Sequence, residues 1–277
     1  MKLMRLLASC ALGVLCLVTI SHANSQPYLI LSAVKLEYLP IAKHMTDTKE
    51  GVVAHIHYLE GNLHHLPVVV AYTGVGNLNA AFVTGLFIHR FHPRGVIYAG
   101  SAGGLRSDLK VGDVVVSTSQ FSLDNISYVL DKTQFSMGEL VLFPDNQVTS
   151  KQEPLEYFSS QYYIHLLKKS HQDKQRVFYA PIVTANTMID PSDNIKKLLI
   201  KNGVLAIAME DVGVAHVCWM YGVPMISIRG ISNNILLRTP FTEETAAAAS
   251  NAAAHVVGDL LEGLKCRTRA IVSVCNG

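Results

Sequence analysis

The sequence predicts an α/β chain organised around a parallel sheet. Apolar runs of strand length recur at 28–33, 67–72 and 95–98, each bounded by polar or glycine-rich residues. The second runs into Thr73-Gly74-Val75-Gly76, and residues 77–91 then show helical spacing before the third begins. Strand, glycine loop, helix, strand is a βαβ unit, and its crossover makes the flanking strands parallel.

Before the first strand, Met1-Lys2-Leu3-Met4-Arg5 leads into an apolar run over 6–20 and then Ser21-His22-Ala23. A cationic start, a short hydrophobic core and a small-x-small site read as a secretory leader, with cleavage expected after Ala23 and export expected to follow. The run is short for a bilayer span, and Leu7-Ala8-Ser9-Cys10 has too little apolar sequence before it to be a lipoprotein box. Residues 1–23 are therefore assigned to the leader and 24–277 to one domain. Loss of the leader removes two of 23 basic residues, leaving 21 against 21 acidic ones. A near-neutral chain implies neither a nucleic-acid partner nor a membrane surface. Of the cysteines that remain, Cys218 sits among apolar residues as a plain buried thiol, while Cys266 and Cys275 are either paired or free.

The strand at 28–33 ends close to Glu37, which places a carboxylate where open α/β sheets hold their ligands. A further strand is expected at 52–57. In the helix at 77–91, Leu78, Ala81, Phe82, Leu86 and Ile88 or His89 are read as the core face. The strand at 95–98 ends in Ala99-Gly100-Ser101-Ala102-Gly103-Gly104-Leu105, a loop whose backbone N–H groups can approach ligand oxygens closely. Val111-Gly112-Asp113 turns into a strand, and the pattern then weakens over 119–160, read as an excursion over the ligand or a subunit contact. Strands return at 176–184, 204–209 and 224–229, with a helix at 211–221. The last helix begins after Thr242, its N-cap, with Glu243 and Glu244 in its first turn, and runs to about Lys265.

His55-x-His57 is expected on one side of a strand and His64-His65 in a loop, but no Cys/His spacing completes a metal site. Gly74-Val75-Gly76 lacks the third glycine and partner acid of a dinucleotide fingerprint. Ser101 has no evident triad partners. No metal and no cofactor is expected.

Taken together, Gly100-Ser101-Ala102-Gly103-Gly104-Leu105 with Leu109-Lys110-Val111-Gly112-Asp113-Val114-Val115-Val116 resembles the core signature of the 5′-methylthioadenosine/S-adenosylhomocysteine nucleosidases. These enzymes fall within the purine nucleoside phosphorylase and uridine phosphorylase superfamily. Ala208-Met209-Glu210, then Ala215-His216-Val217-Cys218 and Ile228-Arg229-Gly230-Ile231-Ser232, resembles the second signature. The resemblance spans about 28–264. It implies a three-layer α/β/α sandwich around a mixed, partly barrel-like sheet, a homodimer, and cleavage of a purine nucleoside. By the same resemblance Glu37 activates water, Met209 and Glu210 hold the ribose, and Ser101, Ala102 and Gly103 line the ribose and water side. Met188 and Ile189 meet the base, and Gly76, Arg229 and Ser232 are counted among the substrate-binding residues, Gly76 near the ribose and Arg229 bracing the pocket wall.

Breaking an N-glycosidic bond builds positive charge on the sugar and negative charge on the base. A base for water, a carboxylate at the ribose and a donor at the purine answer those demands. The chain departs from the nucleosidases where they carry an aspartate that protonates the purine: Asn233 stands there, and an amide donates a hydrogen bond without acting as an acid. Ala208 replaces another acid of many relatives and Met188 a stacking aromatic. The alternatives are an altered base preference, a phosphorylase of 6-oxopurine nucleosides, or a weakened nucleoside-binding or storage-type protein. Arg90, Arg94 and Arg106 are read as solvated or structural rather than phosphate ligands, which favours water as the nucleophile.

Overall fold

A computed structural model describes residues 26–126, 141–142, 147–148, 155–171, 175–188 and 190–275. The expected leader, Ile189 and most of the 119–160 excursion lie outside these residues. In chain order the elements are β1 (Tyr28–Ser32), α1 (Lys35–Ala42), β2 (Thr46–Val53), β3 (Ile56–Leu63), β4 (Leu66–Tyr72), α2 (Asn77–Phe91), β5 (Gly95–Gly104) and β6 (Val114–Ser122). There follow β7 (Val141–Leu142), β8 (Gln147–Val148), β9 (Glu156–Phe158), α3 (Gln161–Ser170), β10 (Val177–Thr184), α4 (Asp193–Lys201), β11 (Ala206–Ala208), α5 (Asp211–Tyr221), β12 (Met225–Asn234) and α6 (Glu243–Cys275).

The central sheet runs β11-β10-β6-β12-β5-β1-β4-β3-β2, and an added β11–β5 pairing closes five of these strands into a mixed barrel. Residues of β1 alternate between two cores: Tyr28 and Ile30 face one, Leu29 and Leu31 the other. A strand buried on both faces needs exactly such an unbroken apolar run, because period-2 alternation sends every second side chain to each side. Helices α1, α3 and α6 cover the first face through Ile41, Leu167 and Val256 to Leu264. Helices α2 and α5 cover the second through Ala80, Phe87, Val214 and Cys218. The result is the expected α/β/α sandwich.

Several local expectations are corrected. The strand foreseen at 52–57 is a hairpin, because Ala54 and His55 take φ of 47° and 67° and turn the chain between β2 and β3. His55 thus lies in the turn, not beside His57. On α2 the buried stripe is Ala80, Val83, Thr84, Phe87 and Ile88, while Leu78 and Phe82 are 88% and 61% exposed. That helix is apolar on both candidate stripes, so periodicity does not select between them. The neighbour does: Gly213 of α5 comes so close that a β carbon there would lie 2.4 Å from the Asn77 carbonyl oxygen. Finally, α6 continues past Lys265 to Cys275. Cys266 and Cys275 fall on this one helix, and the side chains that would decide whether they pair lie outside the described residues.

Candidate active site

The C-terminal ends of β1, β5, β11 and β12, with α1 and the start of α6, enclose a cavity of about 480 Å³. Glu37 enters from the first turn of α1 and is 5% exposed. Its Oε1 accepts from the Ser101 N–H at 2.7 Å and the Ser101 hydroxyl at 2.8 Å, and its Oε2 from the Ala33 N–H at 2.9 Å. Of roughly four acceptor positions on a carboxylate, three are filled and one on Oε2 remains for a solvent molecule.

Glu210 occupies the N-cap position of α5 and is 3% exposed. Oε1 accepts from the Gly76 N–H at 3.0 Å and Oε2 from Arg229 Nη2 at 2.9 Å. Each oxygen keeps one position free, a pattern suited to two neighbouring hydroxyls. Burial raises the Glu210 pKa above the ordinary carboxylate range, although Arg229 and the Gly76 N–H pull against it.

Glu37 and Glu210, distant in sequence, open onto the same cavity, together with Ser101, Ala102, Gly103, Met209, Ser232, Asn233 and Met188. Asn233 is aimed by an irregularity: the register of β12 on β5 slips between Ile231 and Asn233, adding a residue at Ser232 and extending the strand beyond its expected end at Arg229. The Ser232 hydroxyl lies 3.2 Å from the Ala102 carbonyl and 3.0 Å from Asn233 Oδ1, its one proton shared between the two acceptors, so that Oδ1 is engaged by the wall while, among the described residues, the amide nitrogen stays free for a ligand.

Two residues assigned to substrate contact are placed elsewhere. Arg229 is 1% exposed and lies behind the wall, its guanidinium 4.7 Å from the Tyr98 ring centroid and its Nη1 donating to the Ser101 carbonyl at 3.1 Å. Gly76 likewise does not line the cavity and acts on Glu210 from outside it. Arg90 stacks on Phe91, Arg94 on Tyr28, and Arg106 pairs with Asp108.

Other wall residues were not foreseen. Phe241, Glu243 and Ala246 come from the start of α6, and Val34 and Leu36 from the start of α1. The N-cap at Thr242 is legible in sequence, but which way that helix start faces depends on packing. Asp211 reads as an ordinary acidic residue of a first helical turn, yet it is fully buried and bonded twice to Arg229. No lysine, arginine or histidine is among the described residues that line the cavity.

Residues 27–262 match the family profile of the phosphorylase superfamily. The chain is 32% identical to a 5′-methylthioadenosine/S-adenosylhomocysteine nucleosidase of an Exiguobacterium species, over 74% of this chain and 84% of the relative. A nucleosidase of the same description from Staphylococcus haemolyticus is 29% identical over 85% of this chain and 99% of its own. Among solved structures, the corresponding nucleosidase of Colwellia psychrerythraea in complex with adenine superposes with a TM-score of 0.72 at 26% identity, covering 87% of this chain and 96% of that one.

Proposed function

The chain belongs to the phosphorylase superfamily, and from that premise we propose that it hydrolyses the N-glycosidic bond of a purine nucleoside. Glu37, held by Ser101 and Ala33, offers its remaining lone pair to a water molecule and takes its proton as that water adds to the anomeric carbon. Glu210 accepts from the ribose hydroxyls and faces the positive charge that grows on the sugar. Asn233 donates to the base through its amide nitrogen. Met209 and Met188 supply apolar contact around the ligand.

The observation that carries hydrolysis over phosphorolysis is the charge of the cavity wall. Three carboxylates, Glu37, Glu210 and Glu243, line it, and no cation among the described residues reaches it. A phosphorylase must hold an anion as nucleophile, and a wall of this sign repels one. Water carries no such penalty.

Because Asn233 cannot protonate a leaving base, we further infer an altered base preference, toward purines that present an acceptor to the amide. Leu78 and Phe82 stand exposed on α2 near the cavity residue Val75, and this apolar face supports the homodimer. The composition of residues 1–23 supports export. The test incubates the mature protein with methylthioadenosine, S-adenosylhomocysteine, adenosine and inosine, with and without phosphate, and follows free base. Release independent of phosphate is expected; release that requires phosphate sinks hydrolysis, and binding with no release from any nucleoside leaves a binding protein.

A further inference from the structure

Behind the cavity wall, two carboxylates share one guanidinium. Asp211 Oδ1 accepts from Arg229 Nε at 3.1 Å and Oδ2 from Nη2 at 2.7 Å, a two-point pairing, while Glu210 receives one N–H of the same Nη2 at 2.9 Å. The Ser227 hydroxyl also donates to Asp211 Oδ1. All three members are almost fully buried, at 0%, 1% and 3% exposure for Asp211, Arg229 and Glu210. In such surroundings charge is screened weakly, so the count of charges matters.

Arg229 with Glu210 alone is a neutral pair whose cation would compete with the sugar for the Glu210 carboxylate. The fork geometry gives Arg229 to Asp211 instead. We propose that Asp211 is a positioning residue that neutralises Arg229 and so leaves the charge of Glu210 available to the ribosyl cation, the triplet as a whole keeping one net negative charge. This rests on the glycosidic cleavage proposed above. Asp211 touches no substrate and does not line the cavity. Its effect reaches the reacting sugar through Arg229, which also fixes the Ser101 carbonyl at 3.1 Å and thereby the end of β5 that seats Glu37.

The interaction grows as the sugar becomes cationic, so it belongs to the transition state more than to the bound nucleoside. In Asp211→Asn, kcat is expected to fall about 10- to 100-fold with KM changed less than about threefold. The acid limb of the pH profile should move to lower pH, because Arg229 then acts on Glu210 alone. An unchanged kcat and an unmoved acid limb in the folded variant overturn the proposal. Asp211→Ala, which leaves a small space in place of an amide donor facing the guanidinium, is the second variant and carries the same expectations.

A binding measurement separates this proposal from the hydrolase reading. The affinity of the full protein for a cationic pyrrolidine nucleoside analogue is compared by calorimetry with that for a neutral carbocyclic one. The unmodified chain should prefer the cation by about 100-fold and either variant by about tenfold less. Absence of base release from every nucleoside refutes the hydrolase while leaving this comparison decisive for Asp211. A ratio near one in the unmodified chain overturns the proposal whether or not the variants fold.

Discussion

The Glu37 carboxylate lies directly over the α carbon of Gly100: a β carbon on that glycine would sit 2.7 Å from both carboxylate oxygens. Glycine is required there for approach, not for an unusual backbone angle. Gly100→Ala should displace the end of a flexible side chain without disturbing the strand, so the fold survives while the Ser101 contacts to Glu37 are lost. Base release should fall about 100-fold or more while the protein still folds, its melting temperature lowered by the lost Glu37 hydrogen bonds, as read from steady-state assays and thermal denaturation. A variant of full activity would remove Glu37 from the chemistry.

The raised pKa of Glu210 makes activity and stability respond to pH in opposite directions. Burial, the largest cause, favours the protonated form of the folded protein. Its contribution to stability is thus present below the ordinary carboxylate value and is lost as pH rises through the folded pKa. Activity needs the ionised form and should appear over that same rise, with the acid limb of kcat/KM lying above the ordinary carboxylate range. Glu210→Gln should abolish that limb and lower the rate, as a pH series on both proteins reads directly.

Asn233→Asp restores a group able to carry a proton where the amide only donates a hydrogen bond. Cleavage of adenine nucleosides should rise by about 10- to 100-fold and gain an alkaline limb. An unchanged or lower rate would show that base recognition has been rebuilt beyond this residue.

Leu78 and Phe82 lie one helical turn apart on α2, and both are largely exposed. In the homodimer proposed above, replacing Leu78 with Glu should yield a monomer in sedimentation analysis, with the sandwich intact. A dimer that persists moves the interface elsewhere.

The two hairpin turns at Ala54-His55 and His64-His65 hold all four residues at positive φ, the conformation that Asn-Gly normally supplies. His65→Gly relieves φ 63° at an exposed position. It should raise the melting temperature by about 2 °C, the relief of left-handed strain outweighing the added freedom of the unfolded chain.

These turns also show where sequence reading stops. The buried strands were legible because a run such as Leu29-Ile30-Leu31 fits only a two-faced position, and the extent of the helix at 77–91 from its spacing, though not the face it buries. The hairpin between β2 and β3 was not, since neither Ala54 nor His55 is a turn signal. The two glutamates at the cavity stood out by their places after strands, and Asn233 by its departure from a motif. The start of α6 in the cavity wall, the slip at Ser232 and the pairing of Asp211 with Arg229 are products of packing between segments far apart in the chain. No local pattern encodes them.

Helix α6 carries Ala246 into the cavity wall and, further along the same rod, Val256, Val257, Leu260 and Leu261 into the main core. The back of the site is therefore tied to the main core, and amide exchange should slow along α6 from its exposed first turn toward Val256 and Leu260. Val75, Met188 and Phe241 are apolar wall residues that face solvent, and ligands enter and leave past them.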